Sequence, residues 1–546
     1  MHRVISLVRQ FFPSASGKSP AEVVAILNDE PHLNGYQIAQ DALNIKSSQW
    51  KWKKALFDGY IEGTAWAPAH VRVHASGLTE TLSKAFAAAA AFKPSSGEFE
   101  VVFRHDTKMY DGRWANSGWL QELPDPMARL TWDNAALVNP KTAAALGLNP
   151  HVSQMIEITV GSRTLKMPVY ALPGQPENSI SLPYGYGRTK SGVIGTGTGF
   201  DVYRLRTTAH MAMAVAKIRP TGEAYQLATT QNNFVIGIVG EKTIAERIPQ
   251  LVHMATFKEL QANPSLGHKR QTAVNLWDEH HYNTGYQWGL SVDLTACTAC
   301  GACVVACQAE NNIPIVGKAQ VLMGREMQWM RIDRYFRGPD LTRPESVHEP
   351  VMCMQCENAP CEAVCPVGAT VHSQDGLNQM AYNRCIGTRY CMNNCPYKVR
   401  RFNFFDYNSG TLQNLYEPNL LRKPMNDLVA MQRNPEVSIR VRGVMEKCTY
   451  CVQRIEMTRV TAERQNRRIR DGEIQMACQQ ACPTQAIVFG DILDKSSKVA
   501  ILRNQSRSYG LLNEMLFTKP RTTYLPKISN PNPQIAPNEL PDLGSM

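Results

Sequence analysis

No cysteine occurs before Cys297, so the front half of this 546-residue chain can offer no thiolate to a metal and no disulfide. Long apolar runs are also missing. The longest strongly apolar run is Ala85–Phe92, within AFAAAAAF, far short of the roughly 20 residues a membrane-spanning helix needs. The chain is therefore not expected to cross a bilayer by itself. The opening MHRVISLVRQFFPSASGKSP has its apolar stretch broken by Arg9 and Gln10 and does not read as a secretory signal. A dinucleotide fingerprint is absent as well: GTGTGF, residues 195–200, puts Phe200 where a third glycine would stand, and it reads as a plain glycine-rich loop. Acidic residues are in deficit, 47 against 58 basic ones, for a net charge of +11. Basic helices, zinc-finger spacing and RNP-like aromatic motifs do not accompany that excess, so nucleic acid is not an expected partner.

What remains is a globular composition, 43% apolar and 19% charged. The length is too great for one ordinary core, so two or more domains are expected. All fifteen cysteines fall between Cys297 and Cys482, which marks a two-part molecule. The sequence reads as α+β. Residues 1–75 look helical, with apolar spacing in AEVVAILNDE and YQIAQDALNI. Residues 97–275, within an expected domain at 76–275, are richer in strands: EFEVVFRH, MIEITVGSRTLKMPVYAL and NSISLPYGYG alternate or carry β-branched runs between Gly, Pro and Asn. NPKTAAALGL reads as a short helix ending at Gly147. Residues 260–290 are polar and serve as a linker. Residues 276–518 hold the cysteine motifs, and residues 519–546, rich in Pro and Asn, form an extended tail.

The cysteines form four sets. The first is Cys297, Cys300, Cys303 and Cys307, spaced C-x2-C-x2-C-x3-C; the second is Cys353, Cys356, Cys361 and Cys365. The third is Cys385, Cys391 and Cys395, and the fourth is Cys448, Cys451, Cys478 and Cys482. Three of the sets end in Cys-Pro, at Pro366, Pro396 and Pro483. This is the bacterial ferredoxin pattern, in which three thiolates of a tight loop hold one iron–sulfur cluster and the fourth reaches another. Disulfides suit small secreted domains better, and zinc could take isolated C-x2-C pairs. Crowding of this kind favours clusters.

Four four-iron clusters at four thiolates each would use sixteen, and the chain has fifteen. The missing one falls at Thr388, midway between Cys385 and Cys391 in CIGTRYC. A hydroxyl is a poor substitute for a soft thiolate. The third set is therefore expected to serve a three-iron cluster, giving three [4Fe-4S] clusters and one [3Fe-4S] cluster in all. Arg384, Arg389, Lys398, Arg400, Arg401, Lys447 and Arg454 surround these loops. Each is either solvated surface or a cation that offsets cluster charge.

TACTACGACVVACQAENNIPIVGK, MCMQCENAPCEAVCPVGATVHSQDGLN and YNRCIGTRYCMNNCPYKVRRFNFF resemble the iron–sulfur subunits that accompany molybdopterin oxidoreductases such as polysulfide and dimethyl sulfoxide reductases. They resemble still more the iron–sulfur subunit of alternative complex III, a bacterial quinol oxidoreductase. DGRWANSGWLQELPDPMARLTWDNAALVNPKTAAALGL and PVYALPGQPENSISLPYGYGR are similar to the dinucleotide-binding β-barrel domain of molybdopterin enzymes. The resemblance implies a molybdopterin dinucleotide-binding-like β-barrel domain followed by a tandem ferredoxin-like iron–sulfur domain, with residues 1–75 a helical remnant of the molybdopterin-enzyme-like region. The family's subunit is longer than this chain, which implies a split gene or a longer protein.

The resemblance also implies that sets exchange their last ligands. Cys297, Cys300 and Cys303 would join Cys482, and Cys448, Cys451 and Cys478 would join Cys307. Cys353, Cys356 and Cys361 would join Cys395, while Cys385 and Cys391 would join Cys365 around the three-iron cluster. The implied role is non-catalytic electron transfer, peripheral on the membrane at its periplasmic face. The implied partners are a polytopic quinol-binding membrane subunit, haem c subunits and other subunits of the same complex. No molybdenum is expected. Two other readings stand beside this one: the cluster subunit of a molybdopterin-dependent reductase, and a structural scaffold with vestigial clusters.

Overall fold

The computed structural model describes residues 18–45, 48–65, 75–91, 94–149, 153–230, 247–266, 281–337, 344–408 and 432–532, with the single positions 67, 69 and 72. The chain divides into two compact units, Met1–Phe92 and Lys93–Met546.

In the first unit the helices start where capping residues stand. Ser19 accepts from the Glu22 amide while the Glu22 carboxylate accepts from the Ser19 amide, opening the helix Pro20–Leu27. Asn34 and Gln37 make the same reciprocal pair for Gly35–Ala42. Gln49–Asp58 begins at Ser48 and stops at left-handed Gly59. The core here is small, built from Ala39, Ile45 and Trp52 with Ile61 against it. The alanine run lies in the helix Ala75–Ala91. Among the described residues no helix is long and apolar enough to cross a membrane.

The second unit opens with a closed six-stranded barrel. Its order is Phe99–His105, Ser179–Tyr184, Ala136–Val138, Arg163–Ala171, Gln154–Val160 and Met213–Ala224, which pairs back on Phe99–His105. Phe99–His105 runs parallel to Ser179–Tyr184, and Ala136–Val138 parallel to Arg163–Ala171; the other pairings are antiparallel. Alternation puts Val101, Ile156, Ile158, Met167, Ile180, Leu182 and Ala214 inside, all fully buried. The short helix forms at Pro140–Ala145, and Gly147 at φ 70° carries the chain out of it.

Sequence reading missed the longest strand, Met213–Ala224. Its Pro220 and Gly222 look like turn residues. The structure accommodates them beside a register shift between Gln154 and Ile156 on the neighbouring strand. A bulge or strand edge is where a residue without an N–H is tolerated.

Past the barrel, much of the linker assigned to residues 260–290 falls on residues 267–280, which lie outside the described residues. A three-stranded sheet then organises the cysteine loops, with Trp288–Asp293 at its centre. Ile487–Asp491 pairs antiparallel on one side and Thr522–Leu525 parallel on the other. Thr522–Leu525 is buried throughout, so the segment after Lys519 supplies an edge strand of the core sheet. Residues 533–546, the rest of the segment read as a tail, lie outside the described residues. An antiparallel hairpin, Arg331–Arg337 with Glu345–Val351, packs Ile332, Tyr335 and Val347 into the same core.

Polar groups fasten the barrel to this domain. Glu122, at the end of the barrel helix Gly118–Glu122, accepts from the amides of Val316 at 3.0 Å and Gly317 at 2.8 Å. Lys318 pairs with Asp133 at 2.7 Å and donates to the Tyr225 hydroxyl at 3.0 Å. Burial raises the Glu122 carboxyl from its ordinary 4.5 to about 7, although the Gly317 and Val316 amides oppose the shift.

Holding that proton to about pH 7 is worth about 3 kcal/mol. The contribution is fully present below about pH 4.5 and is lost as pH rises through about 7. Glu122→Gln should therefore leave the melting temperature at pH 5 nearly unchanged and remove part of the fall between pH 5 and 8. Equal slopes of melting temperature against pH for both proteins would show that Glu122 is not the titrating group.

Candidate metal centre

The cysteine sets share a backbone turn. The residue before the second ligand station is left-handed in each: Ala299 (φ 58°), Gln355 (φ 50°), Gly387 (φ 77°) and Tyr450 (φ 54°). In the first and third sets the residue after that station is left-handed too, Gly301 at φ 78° and Arg389 at φ 62°. Each of these two caps the N-terminus of the following helix, Ala302–Glu310 and Tyr390–Asn393 respectively. Such turns aim successive N–H groups into one concavity, which suits an anionic group. Thr388 thus occupies the station that Cys300 holds in the first set, and both are exposed. Gly387 is required there, because a Cβ would sit 2.9 Å from the Gly443 carbonyl oxygen.

Tertiary folding brings the sets together crosswise. Cys297 and Cys303 lie in the electrostatic reach of Cys300 and Cys482. Cys307 instead lies with Cys448, Cys451 and Cys478. The Asn311 amide spans this group, with its Nδ2 at 3.6 Å from Cys307 Sγ and 3.9 Å from Cys451 Sγ. Cys356 lies with Cys353, Cys395 and Cys361, and Cys391 lies with Cys385 and Cys365. Cys365, Cys385 and Cys391 line one recess together with Thr388 and Met445. Three of the groups lie in electrostatic reach in series, Cys478 of Cys303 and Cys448 of Cys353, and the fourth is linked through Arg400, which acts on both Cys361 and Cys391.

Burial dominates the thiol chemistry. It pushes Cys361 up to about 11 and Cys448 up to about 12. It raises Cys307, Cys356 and Cys478 well above the ordinary thiol range, with neighbouring thiols adding to the shift. Two cysteines go the other way. At Cys365 burial is outweighed by the amides of Val367, Ala369, Thr370 and Gly368. At Cys482 it is outweighed by the Thr484 hydroxyl and the amides of Ala486, Thr484 and Ile487. Both precede proline and both accept an amide four residues on, Ala369 at 3.2 Å and Ala486 at 3.3 Å. Proline fixes φ without competing for the sulfur, so the Cys-Pro signature builds an N–H···S nest.

Sequence reading passed over the neighbours that fix these thiols. Asn311 stands four residues after Cys307, on the same helix face, and that spacing was the only available signal. Asn378, whose Nδ2 lies 3.7 Å from Cys361 Sγ, comes from a distant hairpin and gives no such signal.

The surrounding cations separate into two kinds. Arg401 pairs with Glu326 at 3.0 Å and Arg454 with Glu310 at 2.7 Å, so both are neutralised. Arg384, Arg389 and Lys398 are exposed; they reach the Gly368 carbonyl, the Phe402 ring and the Asn393 carbonyl. Arg400 and Lys447 are buried beside the thiols.

The donor set fits iron–sulfur clusters. All fifteen cysteines are free thiols. Among the described residues no three of His, Cys, Asp and Glu converge closely enough for a single metal ion. A tetrahedral zinc site with Zn–S near 2.3 Å would draw its sulfurs to about 3.8 Å of one another. A cubane carries its thiolates on its outer corners and so takes them more widely spaced.

Two family models, each described as a 4Fe-4S dicluster domain, match the chain. One covers residues 345–412 and the other residues 296–369 and 384–486. The iron-sulfur cluster-binding subunit of menaquinone reductase from Nitratidesulfovibrio vulgaris is 37% identical over 243 residues, which are 44% of this chain and 88% of that protein. Iron-sulfur subunit 1 of the Hdr-like menaquinol oxidoreductase of Archaeoglobus fulgidus is 34% identical over 40% of this chain and 76% of its own length. The B subunit of polysulfide reductase from Wolinella succinogenes is 28% identical over 44% of this chain and 94% of its own length.

Because every cysteine is a free thiol, the denatured, metal-free chain should titrate fifteen thiols with or without added reductant. A shortfall that reductant restores would reveal disulfides.

Proposed function

This chain belongs to the family of iron–sulfur subunits of quinol- and molybdopterin-type reductases, and on that premise we propose that it is the electron-transfer subunit of a membrane quinol oxidoreductase of the alternative complex III type. It takes electrons from a polytopic quinol-oxidising partner and delivers them toward haem c subunits, seated on the periplasmic face of the membrane. The observation that supports this reading is the row of four thiol groups, linked by Cys303 with Cys478, by Cys353 with Cys448 and, at the third junction, by Arg400 between Cys361 and Cys391. When bound, iron–sulfur clusters accept and release single electrons. The role asked of this chain is to hold, insulate and tune them, and no acid–base pair is assigned.

The ligands proposed are Cys297, Cys300, Cys303 and Cys482 for one four-iron cluster and Cys448, Cys451, Cys478 and Cys307 for a second. Cys353, Cys356, Cys361 and Cys395 hold a third. Cys385, Cys391 and Cys365 hold a three-iron cluster whose open corner faces Thr388. The shared turn around Thr388 and Cys300 supports that last assignment, since the backbone there is shaped for a ligand that the side chain does not provide.

The barrel is proposed to be like the dinucleotide-binding domain of molybdopterin enzymes, now without pterin or molybdenum, its role being to clamp the cluster domain and neighbouring subunits. A second reading, the cluster subunit of a molybdopterin-dependent reductase, is favoured by the likeness to the B subunit of polysulfide reductase. Metal analysis of the purified complex separates the two: haem iron without molybdenum fits the first, and stoichiometric molybdenum the second.

The anaerobically isolated chain should contain about fifteen irons, three fours plus three. Oxidised, it should give the paramagnetic resonance signal of a three-iron cluster. Thr388→Cys should abolish that signal in the oxidised protein, add a four-iron signal on reduction and raise the total to about sixteen irons. An unchanged signal in the variant would put the open corner elsewhere, and a reproducible total near eight would remove half the proposed sites.

A further inference from the structure

Arg400 is only 2% exposed, yet its guanidinium is spread over a set of neutral or sulfur acceptors. Nη2 donates to Cys361 Sγ at 3.0 Å and to Asn378 Oδ1 at 2.9 Å. Nη1 donates to Thr370 Oγ1 at 3.1 Å and lies 3.8 Å from Met380 Sδ. Among the described residues no carboxylate forms an ion pair with it, unlike Arg401, Arg440 and Arg454, which pair with Glu326, Glu446 and Glu310. Its charge is therefore directed at cysteine sulfurs, Cys361, Cys353 and Cys395 from one group and Cys391 from the next.

Lys447 repeats the arrangement one step along. It is fully buried, its Nζ donates to the Cys448 carbonyl at 2.9 Å, and its charge acts on both Cys361 and Cys448. At the remaining junction, where Cys303 meets Cys478, the nearby cation Arg454 is cancelled by Glu310.

We propose that Arg400 is an electrostatic tuning residue placed between two cluster sites, a fixed positive charge shared by the Cys353–Cys356–Cys361–Cys395 group and the Cys365–Cys385–Cys391 group. Lys447 serves the preceding junction in the same way. The proposal rests on the reading that these groups hold iron–sulfur clusters. Reduction adds one negative charge to a site, so a buried cation favours the reduced state, and it does so far more strongly in a low-dielectric interior than at the surface. A cation shared by two sites raises both potentials together and keeps transfer between them nearly level. The exposed Arg384, Arg389 and Lys398, screened by water and salt, contribute little of this.

The test is a redox titration of the full-length, cluster-loaded chain followed by paramagnetic resonance, with Arg400→Gln and Arg400→Lys beside the unsubstituted protein. Arg400→Gln should lower the reduction equilibrium constants of the two flanking sites about tenfold or more, about 59 mV for a one-electron couple. The two sites containing Cys303 and Cys307 should move much less. Arg400→Lys, which keeps the charge, should restore most of the shift. Lys447→Met should displace the sites containing Cys361 and Cys448 and spare the three-thiol site.

Loss of the flanking clusters in Arg400→Gln but not in Arg400→Lys would also support the charge as the operative feature. Loss in both variants would make Arg400 a structural strut and overturn the proposal, as would flanking potentials that stay fixed or four potentials that move equally. Absence of any cluster signal from the unsubstituted chain would overturn the underlying cluster reading, and this proposal with it.

Discussion

The second unit depends on gathering thiols that, once ionised, repel one another inside a low-dielectric core. Burial, with neighbouring thiols adding to it, pushes Cys361 up to about 11 and Cys448 up to about 12, and raises Cys307, Cys356 and Cys478 well above the ordinary thiol range. Left to themselves these groups stay protonated at neutral pH. A metal cluster supplies the positive charge that lets them ionise, which couples binding to the stability of the fold. Much of the surrounding architecture reads as preparation for that event. Left-handed turns aim amides at the sulfurs, the two Cys-Pro nests around Cys365 and Cys482 already favour thiolate, and Asn311 braces two thiols from segments far apart in sequence.

Charge placement completes the preparation. Seven basic residues sit near the loops in sequence, and tertiary structure gives them unequal roles. Three are in solvent, two are cancelled by carboxylates, and Arg400 and Lys447 are buried with their charge directed at cysteine residues. An uncompensated buried cation is costly unless something negative meets it. Thiolate-bound clusters meet it, so the positions of these two residues are themselves in keeping with the chemistry the thiols imply.

The barrel contributes rigidity of another kind. Glu122, Asp133 and Tyr225 reach across to Val316, Gly317 and Lys318, just beyond the helix that carries Cys307. Leu123 joins the same apolar core as Cys303, Val304 and Cys353. The barrel therefore supports the first cluster loop directly, through two buried carboxyls and an apolar seam.

The sequence by itself determined which residues are candidates for the chemistry. Spacing picked out four cysteine sets, and the count isolated Thr388, because ligand type and loop length are local properties of the chain. Alternation located most of the barrel strands for the same reason. Tertiary structure alone decided the rest. Which sets share a site depends on segments more than a hundred residues apart, such as Cys307 and Cys451, and spacing carries no record of that distance. The strand Met213–Ala224 was hidden by Pro220 and Gly222, which read locally as turn residues and stand beside a register shift on the neighbouring strand. The segment after Lys519 looked like a tail by composition, yet its strand Thr522–Leu525 is buried, because parallel pairing with Trp288–Asp293 satisfies a backbone that composition cannot pair. The division of the basic residues into exposed, carboxylate-paired and buried unpaired charges followed from burial and from the nearest carboxylate, and both are facts of three dimensions.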